Sequence, residues 1–289
     1  MKYAWIDEHK EMFSIALMCK VFKVNRSAYY HWKNNEKDEL EDEKLNKLIE
    51  KIFKSTRRSY GTRRIKKALI QKYGVIVSRR RIGKIMKILG LKVSKKFKVQ
   101  TTDSKHNYEI APNILNREFK VSEINKVYVG DITYIKTGEG WLYLSTVIDL
   151  YSRKVVGWSM DDNMRVDLVN NALQMAISRR GVTKGLIWHT DRGSQYASDE
   201  HKKLLKKYKI IQSMSRKGNC WNNAVAESFF HTLKTELVYN VKFDSKSQAN
   251  QMIFEYIEIF YNRERLHSSN NYLSPVEFEE QMLQKEIVA

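Results

Sequence analysis

Residues 127–136 read VYVGDITYIK, and their composition decides the fold. Branched and aromatic side chains fill the segment, as a half-buried strand requires and a helix does not. Two segments of the same kind come next, GWLYLSTVIDLY at 140–151 and KVVGWSM at 154–160, separated by glycine-containing or polar turns. The pattern then alternates. RVDLVNNALQMAISRRG (165–181) reads as a helix, GLIWHTD (185–191) as a buried strand and ASDEHKKLLKKYK (197–209) as a helix. IIQSMS (210–215) reads as a short strand and NNAVAESFFHTLKTEL (222–237) as a further helix. Three antiparallel-looking strands and then alternating helix and strand predict a mixed α/β sheet over 121–240. Residues 241–289 are expected to form a helical tail.

Upstream the periodicity is helical. In residues 1–35, ALMCKVFKVNRSAYYHWK (16–33) has the form of a helix-turn-helix, with Ala16 to Phe22 as its first helix and Asn25 or Ser27 capping the second. The alternative is a trihelical core packed on Tyr29, Tyr30 and Trp32. Residues 36–100 form a second unit. It opens with a charged helix carrying Leu40, Leu45, Leu48, Ile49 and Ile52 near helical spacing. SYGTRRIKKALIQKYG (59–74) then predicts a turn at Gly61 and a helix stop near Gly74. VSRRRIGKIMKILG (77–90) predicts a cap at Ser78 and a stop at Gly90. Two short helices joined by a tight turn fit a helix-turn-helix. Residues 101–120, polar and containing Pro112, read as a linker.

Charge divides the 289-residue chain. Its net +19 resolves into +17 over residues 1–120 and +2 over 121–289, and residues 51–100 hold 18 Lys or Arg with no Asp or Glu. Such asymmetry points to a polyanionic partner, the alternative being a solvated basic face. Arg57, Arg58, Arg63, Arg64, Lys66, Lys67, Arg79, Arg80 and Arg81 are the candidates for gripping phosphate. No long apolar segment or lipidation signal accompanies the charge, so no membrane partner is expected. The polar opening MKYAWIDEHKEMF lacks a signal core, which predicts a cytoplasmic protein. Cys19 and Cys220 are the only cysteines. They are read as packed thiols, with neither a disulfide framework nor structural-zinc spacing.

Three carboxylates occupy informative settings. Asp131 lies within an apolar strand, where an unpaired carboxylate is costly. Asp191 ends a buried strand and begins an Asp-Arg-Gly-Ser turn. Glu227 shares a helix face with His231 and Lys234, four and seven residues on. Strand centre, strand end and helix face can converge on Mg²⁺, which takes a few carboxylates plus phosphate oxygens and water. Each acid has a plainer reading: Asp131 paired with a buried Arg, Asp191 capping a turn, Glu227 in a helix salt bridge. Asp149 reads as a structural acid at a strand end. Asp161, Asp162 and Glu236 read as solvated. His189, two residues before Asp191 and on the same strand face, is a candidate support for the metal ligands, as is His231.

The strings GDITYI, HTDRGSQY, KGNCWNNAVAESFFHTLKTE and YNRERLHSSNNYLSP resemble the transposases of bacterial insertion sequences that encode two overlapping reading frames. The likeness is to the downstream, OrfB-type product. That family belongs with retroviral integrases in the DDE superfamily, so the resemblance implies a ribonuclease-H-like core preceded by helix-turn-helix DNA-binding segments. It implies Asp131, Asp191 and Glu227 as the metal-binding triad, and Lys234 as the basic residue that contacts the transposon end. The chain departs from the common pattern at Tyr128 and at Asn222.

The function implied by the resemblance is that of a Mg²⁺-dependent DNA transposase, with Mn²⁺ as a possible substitute, that cleaves at the 3′ end of the element and transfers the strand. Its expected partners are the terminal inverted repeats, target DNA, the upstream reading-frame product or a fusion with it, and further copies of itself on DNA. Its expected place is the bacterial cytoplasm, on the nucleoid. Two other readings stand beside it: a DNA-binding regulator that needs the fused form for catalysis, and a general nuclease of the ribonuclease H type.

Overall fold

The computed structural model describes residues 1–93, 108–116, 121–215 and 224–288. Cys220 and Asn222 lie outside them, as does part of the expected linker. The chain divides into two compact units, Met1–Val93 and Ser94–Ala289.

The first unit is all-helical: α1 (Lys2–Glu8), α2 (Ile15–Val21), α3 (Arg26–Ser55), α4 (Thr62–Tyr73) and α5 (Arg79–Ile88). Side-chain caps set the helix starts, each satisfying an amide that the first turn leaves open. Leu17 N–H donates to Ser14 Oγ (3.3 Å), Ser27 N–H to Asn25 Oδ1 (2.8 Å) and Arg81 N–H to Ser78 Oγ (3.2 Å). Gly74, at φ 66°, ends α4 in the left-handed conformation that glycine adopts without steric cost. Ile6, Met18, Cys19 and Tyr29 form a small core under α1–α3, while Tyr30 is exposed. Cys19 is the packed thiol expected of it. The border placed between residues 35 and 36 falls inside α3, which runs unbroken through the charged segment. Ile49, Ile52 and Phe53 on α3, Ile65 and Leu69 on α4, and Ile82 and Ile85 on α5 are all buried, and the three helices pack on one another.

The second unit is built on five strands: β1 (Val127–Thr137), β2 (Gly140–Asp149), β3 (Val155–Asp161), β4 (Ile187–Thr190) and β5 (Ile211–Met214), in the order β3-β2-β1-β4-β5. β1–β2 and β2–β3 are antiparallel, whereas β1–β4 and β4–β5 are parallel. On one face lies α6 (Val166–Arg180), with α7 (Ser194–Ala197) and α8 (Asp199–Lys207) beyond it. α6 comes so close at Gly157 that any β-carbon there would overlap the Ala172 carbonyl. On the other face lie α9 (Ala224–Glu236), α10 (Lys246–Glu255) with its π-helical continuation Tyr256–Glu264, and α11 (Pro275–Val288).

The expected tail is part of this body. Phe243, Ile253, Tyr256, Ile257, Phe260 and Tyr261 share one core with Val127, Val129, Leu142 and Phe229. Glu236 corrects the sequence reading: it is buried, receives the Arg265 guanidinium (Nη2–Oε1 2.9 Å) and accepts from Tyr256 O–H (2.7 Å). Of the expected linker, residues 108–116 lie against β5, where Ser213 Oγ accepts from Ile114 N–H (3.0 Å) and Leu115 N–H (3.3 Å).

Candidate active site

Strand alternation and register bring two of the acids together. Val127, Val129 and Ile187 contribute to the core beneath α9. Side chains two apart share a face, so Asp131 on β1 and Asp191 just past β4 emerge on that same face. β1 and β4 pair in parallel with Val129 opposite His189. Carried two residues further, this register sets Asp131 beside Asp191. Trp188, pointing the other way, brings the outer edge of its indole against Gly130, where a β-carbon would overlap it. The glycine of GDITYI is therefore the space into which the tryptophan of IWHTD fits.

Asp131 keeps part of its surface open, and its carboxyl accepts from Ile132 N–H (2.8 Å). Burial pushes it well above the ordinary carboxylate range, and the charge of Asp191 pushes in the same direction. The Ile132 amide opposes that shift, Glu227 adds to it, and Lys234 offsets part of it. Among the described residues no Arg forms an ion pair with Asp131. Asp191 closes a tight turn by accepting from Gly193 N–H (2.9 Å). Its capping role and its place beside Asp131 are compatible, because a carboxylate has lone pairs to spare. Glu227 stands in the first turn of α9, exposed as a residue but with partial desolvation of its carboxyl, which raises the carboxyl pKa. Among the described residues no ion pair engages it.

Lys234 is half-buried two turns along α9. Burial lowers its ammonium pKa, and Asp131 opposes that shift. Its Nζ lies 4.9 Å from the centre of the Tyr134 ring, a cation–π contact. Tyr134 escaped the sequence reading because strand alternation places it on the face opposite Asp131. β4 accompanies β1 only from Val127 to Val129, so the strand edge beyond is open and the lysine meets the ring there.

The two histidines differ. His189 is fully buried, with Nδ1 2.9 Å from Ser213 Oγ. His231 lies partly buried one turn beyond Glu227. A phenol that sequence reading passed over, Tyr196, is buried close to the acids. Burial raises its pKa, and the charges of Asp131 and Asp191 raise it further, while the Ser145 hydroxyl acts the other way. Among the described residues no three His, Cys, Asp or Glu side chains are close enough, as placed, to ligate one ion. Asp131, Asp191 and Glu227 still fit a divalent cation chemically: they offer oxygen donors alone, and Lys234 offsets part of the repulsion felt by Asp131.

In the helical unit, Arg58, Arg63, Lys67, Arg79 and Arg80 are exposed, and Arg57, Arg64 and Lys66 are partly buried. Arg64 sits over the Tyr60 ring at 5.6 Å. Arg81 is held by Asp42 through Nε (3.1 Å) and Nη2 (2.6 Å), so its charge is already engaged. Arg79 and Arg80 occupy the first turn of α5, the end of a second helix from which base edges are read in helix-turn-helix proteins. No helix among the described residues is long and apolar enough to cross a membrane.

Family models and relatives match most of the chain. Integrase core domain models match residues 122–220 and 227–283, and an HTH-like domain model matches residues 39–98. An insertion element IS600 31 kDa protein from Shigella sonnei is 42% identical over 91% of this chain and 97% of its own length. Transposase InsF of insertion sequence IS3A from Escherichia coli is 40% identical over 98% of this chain and its whole length. The transposase of IS904 from Lactococcus lactis is 41% identical over 84% and 96%. Among solved structures, the HTLV-2 integrase catalytic core domain in complex with magnesium is 17% identical, with a TM-score of 0.41, over 54% of this chain and 96% of that one. The helix-turn-helix unit, the mixed sheet and the full-length kinship with InsF lead to one assignment: this chain belongs to the DDE transposases of bacterial insertion sequences.

Proposed function

We propose that Asp131, Asp191 and Glu227 are the catalytic carboxylates of this transposase, and that together they hold Mg²⁺ or, in its stead, Mn²⁺. The observation that supports this reading is the β1–β4 register, with Val129 opposite His189, which carried two residues further puts Asp131 next to Asp191, together with the influence of Asp191 and Glu227 on the Asp131 carboxyl. Bound metal would lower the cost of forming an attacking oxygen and of releasing the leaving one in an in-line phosphoryl displacement.

The chain's own residues do the rest. Asp131, fixed by the Ile132 amide, and Asp191, fixed by the Gly193 amide, present oxygens from rigid backbone. Glu227, on a helix rather than a strand, is the ligand free to adjust. Lys234 stands where it can grip the phosphate beside the reacting one. The reaction is hydrolysis at the 3′ end of the element, which frees a hydroxyl, and then attack of that hydroxyl on a second phosphodiester. His189 and Ser213 keep the end of β4 in place, and His231 supports Glu227. The helix-turn-helix within 36–100 holds the terminal repeats, with Arg79, Arg80, Arg63 and Lys67 as its contacts and Arg57, Arg58, Arg64 and Lys66 behind them. Two ends must be joined, so the working species is an oligomer on DNA, and the upstream reading frame supplies its remaining end-binding and pairing elements.

The test is metal-dependent cleavage and joining of labelled oligonucleotides carrying the element's ends, wild type beside Glu227→Gln. Activity in Mg²⁺ or Mn²⁺ that the variant lacks, with end binding retained in both, is the expected result. Equal activity in the two proteins would remove Glu227 from the site. End binding without chemistry in either would direct the same assay to a fusion with the upstream frame.

A further inference from the structure

Beside Lys234 an open cleft of about 950 Å³ lies between the end of β1, the start of β2 and residues 238–243, lined by Tyr134, Lys136, Trp141, Lys234, Tyr239 and Lys242 among others. That volume is at the upper end of the roughly 300–1,000 Å³ typical of ligand clefts. Its aromatic residues are poorly covered: Trp141 is 47% and Tyr239 40% exposed. Lys234 occupies one face of Tyr134, and Tyr134 meets Trp141 edge to face, with centroids 5.1 Å apart at 87°. Trp141 is thus braced from below and still nearly half open. Among the described residues no carboxylate lines the cleft, while three lysines do.

Exposed aromatic faces interleaved with lysines are the chemistry of single-stranded nucleic acid binding. The bases stack on the rings and the lysines track the phosphates. A duplex offers its phosphates but keeps its base faces stacked inside, so the rings would go unused. Lys234 belongs both to this cleft and to the surroundings of Asp131, so the cleft adjoins the acidic cluster at that lysine. We propose that the cleft binds unstacked nucleotides of a DNA strand continuing from the reacting phosphate, with Trp141 as the stacking platform and Lys136 and Lys242 as phosphate contacts. This rests on Asp131, Asp191 and Glu227 being the reacting site.

The test compares binding of the full chain to two forms of one labelled element end, blunt or carrying an unpaired tail of about four nucleotides, with strand-transfer assays run in parallel on the wild type. Trp141→Ala is expected to weaken binding of the tailed end by about tenfold and of the blunt end by less than about twofold. Trp141→Phe recovers most of that loss. Lys242→Gln reduces the salt dependence on the tailed end by about 0.7 in log–log slope. Equal losses on both ends, or no loss, overturn the proposal. Chemistry without tail discrimination removes the cleft and leaves the catalytic reading intact. Trp141-dependent discrimination without metal-dependent chemistry keeps the cleft and sends the catalytic reading to the fusion with the upstream frame.

Discussion

Asp131 and Asp149 stand on adjacent strands of one sheet, and burial raises the carboxyl of each. Their second-largest influences separate them. At Asp149 it is backbone: Asn125 N–H (2.7 Å), Tyr151 N–H (2.9 Å) and Ser152 N–H (3.1 Å) all point at its oxygens, and the acid ties the end of β2 to two loops. At Asp131 it is another carboxylate, Asp191, with Glu227 beyond. One end of the sheet surrounds its acid with donors, while the other surrounds it with acids and a single lysine. A buried carboxylate is therefore informative through its neighbours rather than through its burial.

Replacing each acid in turn is the sharpest way to break that contrast. Asp131→Asn should lower strand transfer at least about a thousandfold, the scale of several kcal/mol of lost charge stabilisation. The same substitution should raise the melting temperature of the metal-free protein. The folded pKa of Asp131 lies above its unfolded value near 3.8, so its penalty is absent below that pH and grows as pH rises through the folded value. Above the folded value the penalty is complete, and asparagine abolishes it. Thermal scans with and without Mg²⁺ check both points: the ion should stabilise wild type and leave Asp131→Asn nearly unmoved. A variant that melts lower without metal would show that Asp131 is held as Asp149 is.

Asp149→Ala should act oppositely, leaving three amide donors without an acceptor. A loss of about 3 kcal/mol is expected, which is roughly a 6–12 °C fall in melting temperature for a body of this size, with or without metal. Insensitivity to Asp149→Ala would erase the distinction between the two acids. Gly130→Ala sharpens it with a smaller effect. The new methyl must displace the Trp188 ring, costing about 1–3 kcal/mol, and it moves the backbone next to Asp131 while leaving the Asp149 end untouched. Catalysis should fall by more than stability alone explains when assayed well below the melting temperature.

Much of this was legible in the sequence because its signals are local. The strands around GDITYI, the caps at Asn25 and Ser78 and the stop at Gly74 each depend on residues within one turn. What depends on partners far along the chain was not legible. Glu236 reads as one more surface acid until Arg265, 29 residues away, is folded against it. The region after residue 240 reads as an appended tail because its apolar residues show helical spacing but not the sheet they cover. α3 reads as two helices because Lys33 to Asp38, polar throughout, interrupt its apolar periodicity. At the candidate site, motif context picked out the acids. Neither the β1–β4 register that pairs two of them nor the contact of Lys234 with Tyr134 has a local signature.

The open edge of β1 has a cost of another kind. Beyond Val129 the strand has no strand neighbour on that side among the described residues, and an edge of this kind offers its amides and carbonyls to any extended chain. Two features act against such self-association. Lys136 puts a charge on the edge, and the chain returning at Phe243 caps its end through Gly138 N–H (2.9 Å) and the Thr137–Phe243 bridge. Concentrated protein freed of nucleic acid should therefore be most prone to aggregate through this strand, and a polyanion lying along it would serve as its solubiliser.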